Sequence, residues 1–155
     1  MHEVFVNRAS IAVSNEPSTK ITAKSLGSTL AVVATDPGAK VAGIAHCVLP
    51  EAQGRSSNLP EVLEQMRDLF KHMIQKGASA RNMKIMLFGA ATFLHEPKEL
   101  ALGVRLYKRA VQALKKNGLT LEGEHVGGPL NRSVSIEVGS PRARVILADK
   151  KEIFV

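Results

Sequence analysis

The chain opens with short apolar segments separated by turn residues. Val4 to Val6, Ser10 to Val13 and Lys20 to Ala23 have strand length, and Asn7-Arg8 and Asn15-Glu16-Pro17-Ser18 break them. Thr29-Leu30-Ala31-Val32-Val33-Ala34 is a continuous apolar run, and Val41 to Leu49 is a second, with Asp36-Pro37-Gly38 as the turn between them. This pattern predicts a central hairpin of two buried strands that stops at Pro50. A polar loop, Glu51 to Asn58, follows. The period then changes from runs to three- and four-residue spacing. Leu59, Val62, Leu63, Met66, Leu69, Phe70, Met73 and Ile74 form the stripe of an amphipathic helix. Asn58 suits its N-cap, Pro60 its first turn and Gly77 its stop.

Met83 to Phe88 predicts another buried strand, closed by Gly89-Ala90-Ala91. A second helix is expected from Glu96 or Pro97 to Asn117, with Leu100, Val104, Tyr107, Val111 and Leu114 on one face and Gly118 ending it. Strands return at Leu119 to Glu124, Ser133 to Val138 and Arg144 to Leu147, the middle one alternating polar and apolar as a half-exposed antiparallel strand does. Without repeats, low-complexity stretches or a linker, residues 1–155 read as one α+β domain. Two main helices on a mostly antiparallel sheet, with a second sheet behind it, accommodate every element.

Composition narrows the function classes. At 155 residues and 45% hydrophobic, the chain has enough apolar material for one core and is unlike a disordered segment. No apolar run spans a bilayer and the first residues lack a secretory signal's apolar stretch, so a cytoplasmic protein without membrane insertion is expected. A single cysteine, Cys47, excludes an intrachain disulfide, and the scattered histidines lack the usual zinc spacings; no metal and no cofactor are expected. The net charge of +7 reads first as a solvated basic surface, with an acidic protein partner as the middle option. With six aromatics, none interleaved with the basic clusters, nucleic-acid binding ranks third among the readings.

Candidate chemistry begins with position. Thr22 to Thr29 reads Thr-Ala-Lys-Ser-Leu-Gly-Ser-Thr, where a glycine and small hydroxyl residues enter a buried strand. His46 lies inside the other apolar strand, where a buried imidazole requires a partner; alone it reads as a satisfied core histidine. If the two strands pair as a hairpin, Thr29 and His46 lie at its open end. A hydroxyl or thiol beside an imidazole is what a nucleophile and its general base require.

These residues carry a resemblance. Leu26-Gly27-Ser28-Thr29-Leu30-Ala31-Val32 resembles the LGSCVAV signature of the bacterial chemoreceptor glutamine deamidase family, CheD, with Thr29 where that family keeps its cysteine nucleophile. Asp36-Pro37 and Gly43-Ile44-Ala45-His46-Cys47-Val48-Leu49-Pro50 are similar to its DP turn and GxxHxxLP segment. Phe88-Gly89-Ala90-Ala91 resembles FGGA, Leu102-Gly103-Val104-Arg105 resembles IGxRN, and Gly127-Gly128-Pro129-Leu130-Asn131-Arg132 resembles the late GG…R turn. The likeness covers nearly the whole chain.

The resemblance implies an α/β/β sandwich and hydrolysis of glutamine side-chain amides on methyl-accepting chemoreceptors. There a His-activated Cys thiolate forms a thioester that water opens. It implies Thr29 and His46 at the catalytic positions, with Gly27, Ser28 and Arg132 as binding positions. The receptors and a CheC-type phosphatase are the implied partners of a chain taken as a monomer. The departures cluster at one place. A Thr hydroxyl is far less acidic than a thiol and its β-branch stiffens χ1. The family's upstream Thr aligns with Ala23, FGGA has become FGAA, and the lysine ahead of it is Met86. Losing a nucleophile elsewhere has cost on the order of a million-fold in rate. The leading expectation is therefore a CheD-like protein that acts on or binds chemoreceptors with deamidation weak or lost. The alternative is an active deamidase using Thr29, Ser28 or Cys47 with His46. Cys47 is disfavoured because adjacent strand residues face opposite sides.

Overall fold

A computed structural model describes residues 1–54, 58–93 and 101–155. The first two strands are β1 (His2–Phe5) and β2 (Ile11–Ser14), followed by β3 (Thr19–Leu26). The central hairpin is β4 (Leu30–Asp36) and β5 (Val41–Cys47), leading through a 3-10 turn (Pro50–Gln53) to α1 (Val62–Gln75). The second half holds β6 (Lys84–Gly89), α2 (Leu102–Lys116), β7 (Leu121–Val126), β8 (Arg132–Glu137), β9 (Ala143–Leu147) and β10 (Glu152–Phe154).

Among the described residues, ten strands form two five-stranded sheets, one ordered β1-β3-β8-β9-β10 and the other β2-β5-β4-β6-β7. Both are mostly antiparallel; β1 runs parallel to β3, and β6 parallel to β7. The hairpin strands are buried along their whole length because both faces are covered. Leu30, Val32 and Ala34 face Met66, Leu69 and Leu106 of the helices, while Ala31 and Val33 face Ile21, Val134 and Ile136 of the other sheet. Helices, sheet and sheet make an α/β/β sandwich with one apolar layer on each side of the hairpin.

Several expectations shift by a few residues. Helix α1 is capped at Glu61 rather than Asn58, with no side-chain cap; Glu61 itself takes φ −57° and ψ 158°, outside the helical region. Instead the Gln65 amide reaches back, donating to the Pro60 carbonyl at 3.0 Å. Ile74 lies outside the core at 51% exposure. The stops hold: Gly77 adopts φ +113° and Gly118 φ +65°, each within a paired carbonyl closure of the last helical turn. In α2 the stripe on the core is Gly103, Leu106, Ala110, Ala113 and Leu114, with Val104, Tyr107 and Val111 only half-buried. Small residues set that contact: a Cβ on Gly103 would sit 2.6 Å from the carbonyl oxygens of Ala90 and Ala91. The expected helix start at Glu96 or Pro97, and Leu100, lie outside the described residues.

Candidate active site

The hairpin register decides which side chains meet. Ala31 pairs with His46 and Leu30 with Cys47, so Thr29 is the diagonal neighbour of His46 on the same face, the one turned toward the second sheet. The Thr29 Oγ1 lies 2.8 Å from His46 Nε2. His46 Nδ1 lies 3.4 Å from the Val6 carbonyl, which can only accept, so that nitrogen carries the proton and Nε2 accepts from the Thr29 hydroxyl. Backbone bonds at 2.8 and 3.0 Å fix the His46 peptide between Ala9 and Ser10.

Both groups are nearly sealed, Thr29 at 6% exposure and His46 at 3%. Burial pushes the imidazole pKa below its ordinary value; the Arg8 charge pushes the same way, and the Val6 carbonyl opposes both. The ring is therefore neutral at physiological pH and can take a proton from the hydroxyl it touches. His46 also lines a cleft of about 320 Å3 with Asn7, Arg8, Lys24 and Ser25.

Three backbone segments converge behind Thr29. Ala90 N–H donates to the Thr29 carbonyl at 2.8 Å and Ala91 N–H to that of Gly27 at 2.9 Å. Gly127 N–H donates to Gly89 at 2.9 Å, and Thr92 N–H to Gly128 at 2.8 Å. The glycine-rich stretches thus form a stack of main chain under the Thr29 end of the hairpin.

The remaining sequence-selected residues separate. Ser28 shares a small cavity with Thr29. Gly27 faces the Asn131 side chain and Phe93, with space for a Cβ only at 3.2 Å from Asn131 Oδ1. Arg132 is buried and spends its guanidinium on its own turn, donating to His125 Nδ1 at 2.7 Å, to the His125 carbonyl at 2.8 Å, and to the carbonyls of Gly127 and Leu130. Its geometry is that of a clip on the 125–130 turn. Thr22 points to the outer face, where its hydroxyl donates to Glu3 at 2.7 Å, while Ala23 faces the core. Cys47 faces the helices, fully buried, its thiol pushed up to about 12 by desolvation.

Sequence reading missed Gln65. Its amide accepts from Val48 N–H at 3.1 Å and donates to the Val48 carbonyl at 2.9 Å, so a helix side chain closes the strand end just past His46. The signal was a polar residue on the buried face of the α1 stripe, between Val62 and Met66. Among the described residues, no three His, Cys, Asp or Glu side chains gather as a metal site, and no helix is long and apolar enough to cross a membrane.

The fold and this pair define an α/β/β sandwich with a hydroxyl–imidazole site at the end of its central hairpin. Residues 48–146 match the family model described as CheD chemotactic sensory transduction. The chain is 30% identical over 138 residues to the "Chemoreceptor glutamine deamidase CheD" of Thermotoga maritima, covering 87% of each protein. It is 32% identical over 125 residues to the "Probable chemoreceptor glutamine deamidase CheD" of Thermococcus kodakarensis, covering 77% of this chain and 78% of that protein. It is 29% identical over 147 residues to the protein of the same name from Solibacter usitatus, covering 92% of this chain and 87% of the other. The chain belongs to the CheD family.

Proposed function

We propose that this chain is a chemotaxis protein that engages methyl-accepting chemoreceptors through the Thr29–His46 end of its hairpin, with glutamine deamidation strongly reduced because a hydroxyl stands at the nucleophile position. The observation that carries the reading is the 2.8 Å contact between Thr29 Oγ1 and His46 Nε2, in a chain whose relatives are named for chemoreceptor glutamine deamidation. With a thiol at 29, attack on a side-chain amide would release ammonia and leave a thioester, which water would open to glutamate. A buried Thr hydroxyl resists that first step, since its pKa lies far above the imidazole's. A CheC-type phosphatase is the further partner in this reading, and the cytoplasm its setting.

A second reading, deamidation with Thr29 as a slow nucleophile, is favoured by the neutral His46 already hydrogen-bonded to it. Mass spectrometry of a chemoreceptor cytoplasmic fragment separates the two. Glutamine-to-glutamate conversion by the Thr29→Cys variant alone is the expected result. Conversion by the unaltered chain that disappears in Thr29→Val would establish the second reading. Conversion by neither protein would remove the deamidase site from the proposal.

A further inference from the structure

The cleft of about 320 Å3 at His46 lies on the second-sheet side of the hairpin. Its walls are the segment Phe5 to Arg8 at the end of β1, Lys24 and Ser25 of β3, and His46 itself. Val6 packs in the core between the sheets, and its carbonyl is the acceptor facing His46 Nδ1. The space is enough for a side-chain amide and part of a neighbouring residue.

The cleft carries one sign of charge. Arg8 and Lys24 line it, and among the described residues no Asp or Glu does. Neither cation sits in an ion pair there: Glu3, which feels the Lys24 charge, is held by Lys20 at 3.4 Å and by the Thr22 hydroxyl at 2.7 Å. The Arg8 charge acts on His46, so the guanidinium lies within electrostatic reach of the ring. The other groove that touches His46, about 510 Å3 against α1, differs. Glu64 and Asp68 stand in it beside Arg67 and Lys71, and their charges cancel.

The backbone aims both cations. Between β3 and β8 the register slips from Ala23 to Leu26, so that Lys24 and Ser25 together oppose Ser133. Ser25 takes φ +57°, and both residues are exposed, which breaks the strand's in–out alternation. A bulge of this kind re-aims a side chain. The Lys24 ammonium rests 4.4 Å from the centre of the Phe5 ring on the cleft wall. Arg8 is fixed from the other side. Ala9 N–H donates to the His46 carbonyl at 2.8 Å and His46 N–H to the Ser10 carbonyl at 3.0 Å, tying the segment after Arg8 to His46's own peptide.

We infer that Arg8 and Lys24 are specificity-determining residues that select glutamines flanked by carboxylate side chains. The inference deepens the proposed function and rests on it in taking His46 as the group to which the glutamine is presented. Arg8 offers a fork that a carboxylate meets with two bonds, and Lys24 a compact charge seated over a ring. Both are exposed, so each adds a few-fold to affinity rather than orders of magnitude. Sequence reading took Asn7-Arg8 as a strand break and passed over Lys24, because the bulge that turns it outward depends on pairing with β8.

The test measures fluorescence anisotropy of two labelled synthetic peptides, each centred on one glutamine, with glutamates beside it in one and serines in the other. The unaltered full chain should bind the glutamate peptide roughly four- to twentyfold more tightly. Arg8→Gln and Lys24→Gln should each cut that advantage about two- to fivefold. The losses should multiply in the double variant, since each cation acts separately. Raising salt should shrink the advantage of the unaltered chain and change the double variant little. Lys108→Gln, which removes an exposed charge on α2 across the hairpin, should leave the advantage intact. Equal affinity for the two peptides, binding of neither, or the same loss in Lys108→Gln would overturn the inference. Deamidation is read separately, by mass spectrometry of the same peptides with the Thr29→Cys chain. A glutamate preference without conversion removes the deamidase site and leaves acidic recognition standing. Conversion of both peptides at equal kcat/KM keeps that site and overturns the role of the two cations.

Discussion

Gly89 holds φ at +106°, and a Cβ placed on it would lie 2.5 Å from the Thr29 carbonyl oxygen. Two costs combine there: a backbone region unfavourable to L-residues and a collision with main chain rather than with a pliable side-chain tip. The next residue, Ala90, takes φ +52° and donates to that same Thr29 carbonyl, so displacing it breaks the link that seats the hydroxyl. Gly89→Ala should therefore destabilise the fold by about 2–4 kcal/mol, read from the urea midpoint. It should also move the Thr29–His46 contact, seen as a shifted His46 ring resonance. A loss below about 0.5 kcal/mol would mean that the loop relaxes freely and does not set the site.

At the scale of elements, Gln65 joins α1 to β5. Its primary amide meets the N–H and the carbonyl of Val48, completing the strand as a neighbouring peptide would, and also bonds to Pro60. Gln65→Leu keeps the helix and the approximate volume but leaves buried groups of Val48 without partners, a loss of about 2–3 kcal/mol by thermal or urea unfolding. A near-neutral result would show water taking the amide's place. The same element explains what was readable in the sequence. The apolar period exposed α1 and α2, and their glycine stops were legible because a left-handed closing residue has a strong residue signature. The starts were not: the Glu61 cap has no side-chain bond, and its anchoring comes from Gln65, a tertiary contact that no local pattern announces. β10 went unread because three residues, Glu152 to Phe154, are too few to show a period. The Thr29–His46 meeting was legible from the hairpin alone, since antiparallel register fixes diagonal neighbours. The tie between the Pro50–Gln53 turn and α2 was not, because it depends on ion pairs distant in sequence.

For the molecule as a whole, acid is the condition that should expose these arrangements. His46 and His125 both have pKa values held below the usual 6.5, in each case chiefly by burial. The Arg132 guanidinium adds to the effect at His125, whose Nδ1 accepts from it and has no room for a second proton. Facing His46 are the Thr29 hydroxyl, the Val6 carbonyl and the Arg8 charge, none of which stabilises an imidazolium strongly enough to offset burial. Because the unfolded chain binds these protons first, folding stability is at its full value above about pH 6.5 and falls as pH drops toward the lower folded-state values. A second decline begins nearer 4.5, where Glu51, Glu3 and Glu152, all held below that value by their partners, take up protons in the unfolded chain first. Urea midpoints across this range should show two steps. Replacing both histidines by glutamine should flatten the upper step while leaving the lower one, since the carboxylates and their arginine and lysine partners are untouched. An upper step that survives both replacements would mean that the buried imidazoles do not titrate with unfolding, and that the neutral His46 assigned to the Thr29 hydroxyl is the wrong protonation state.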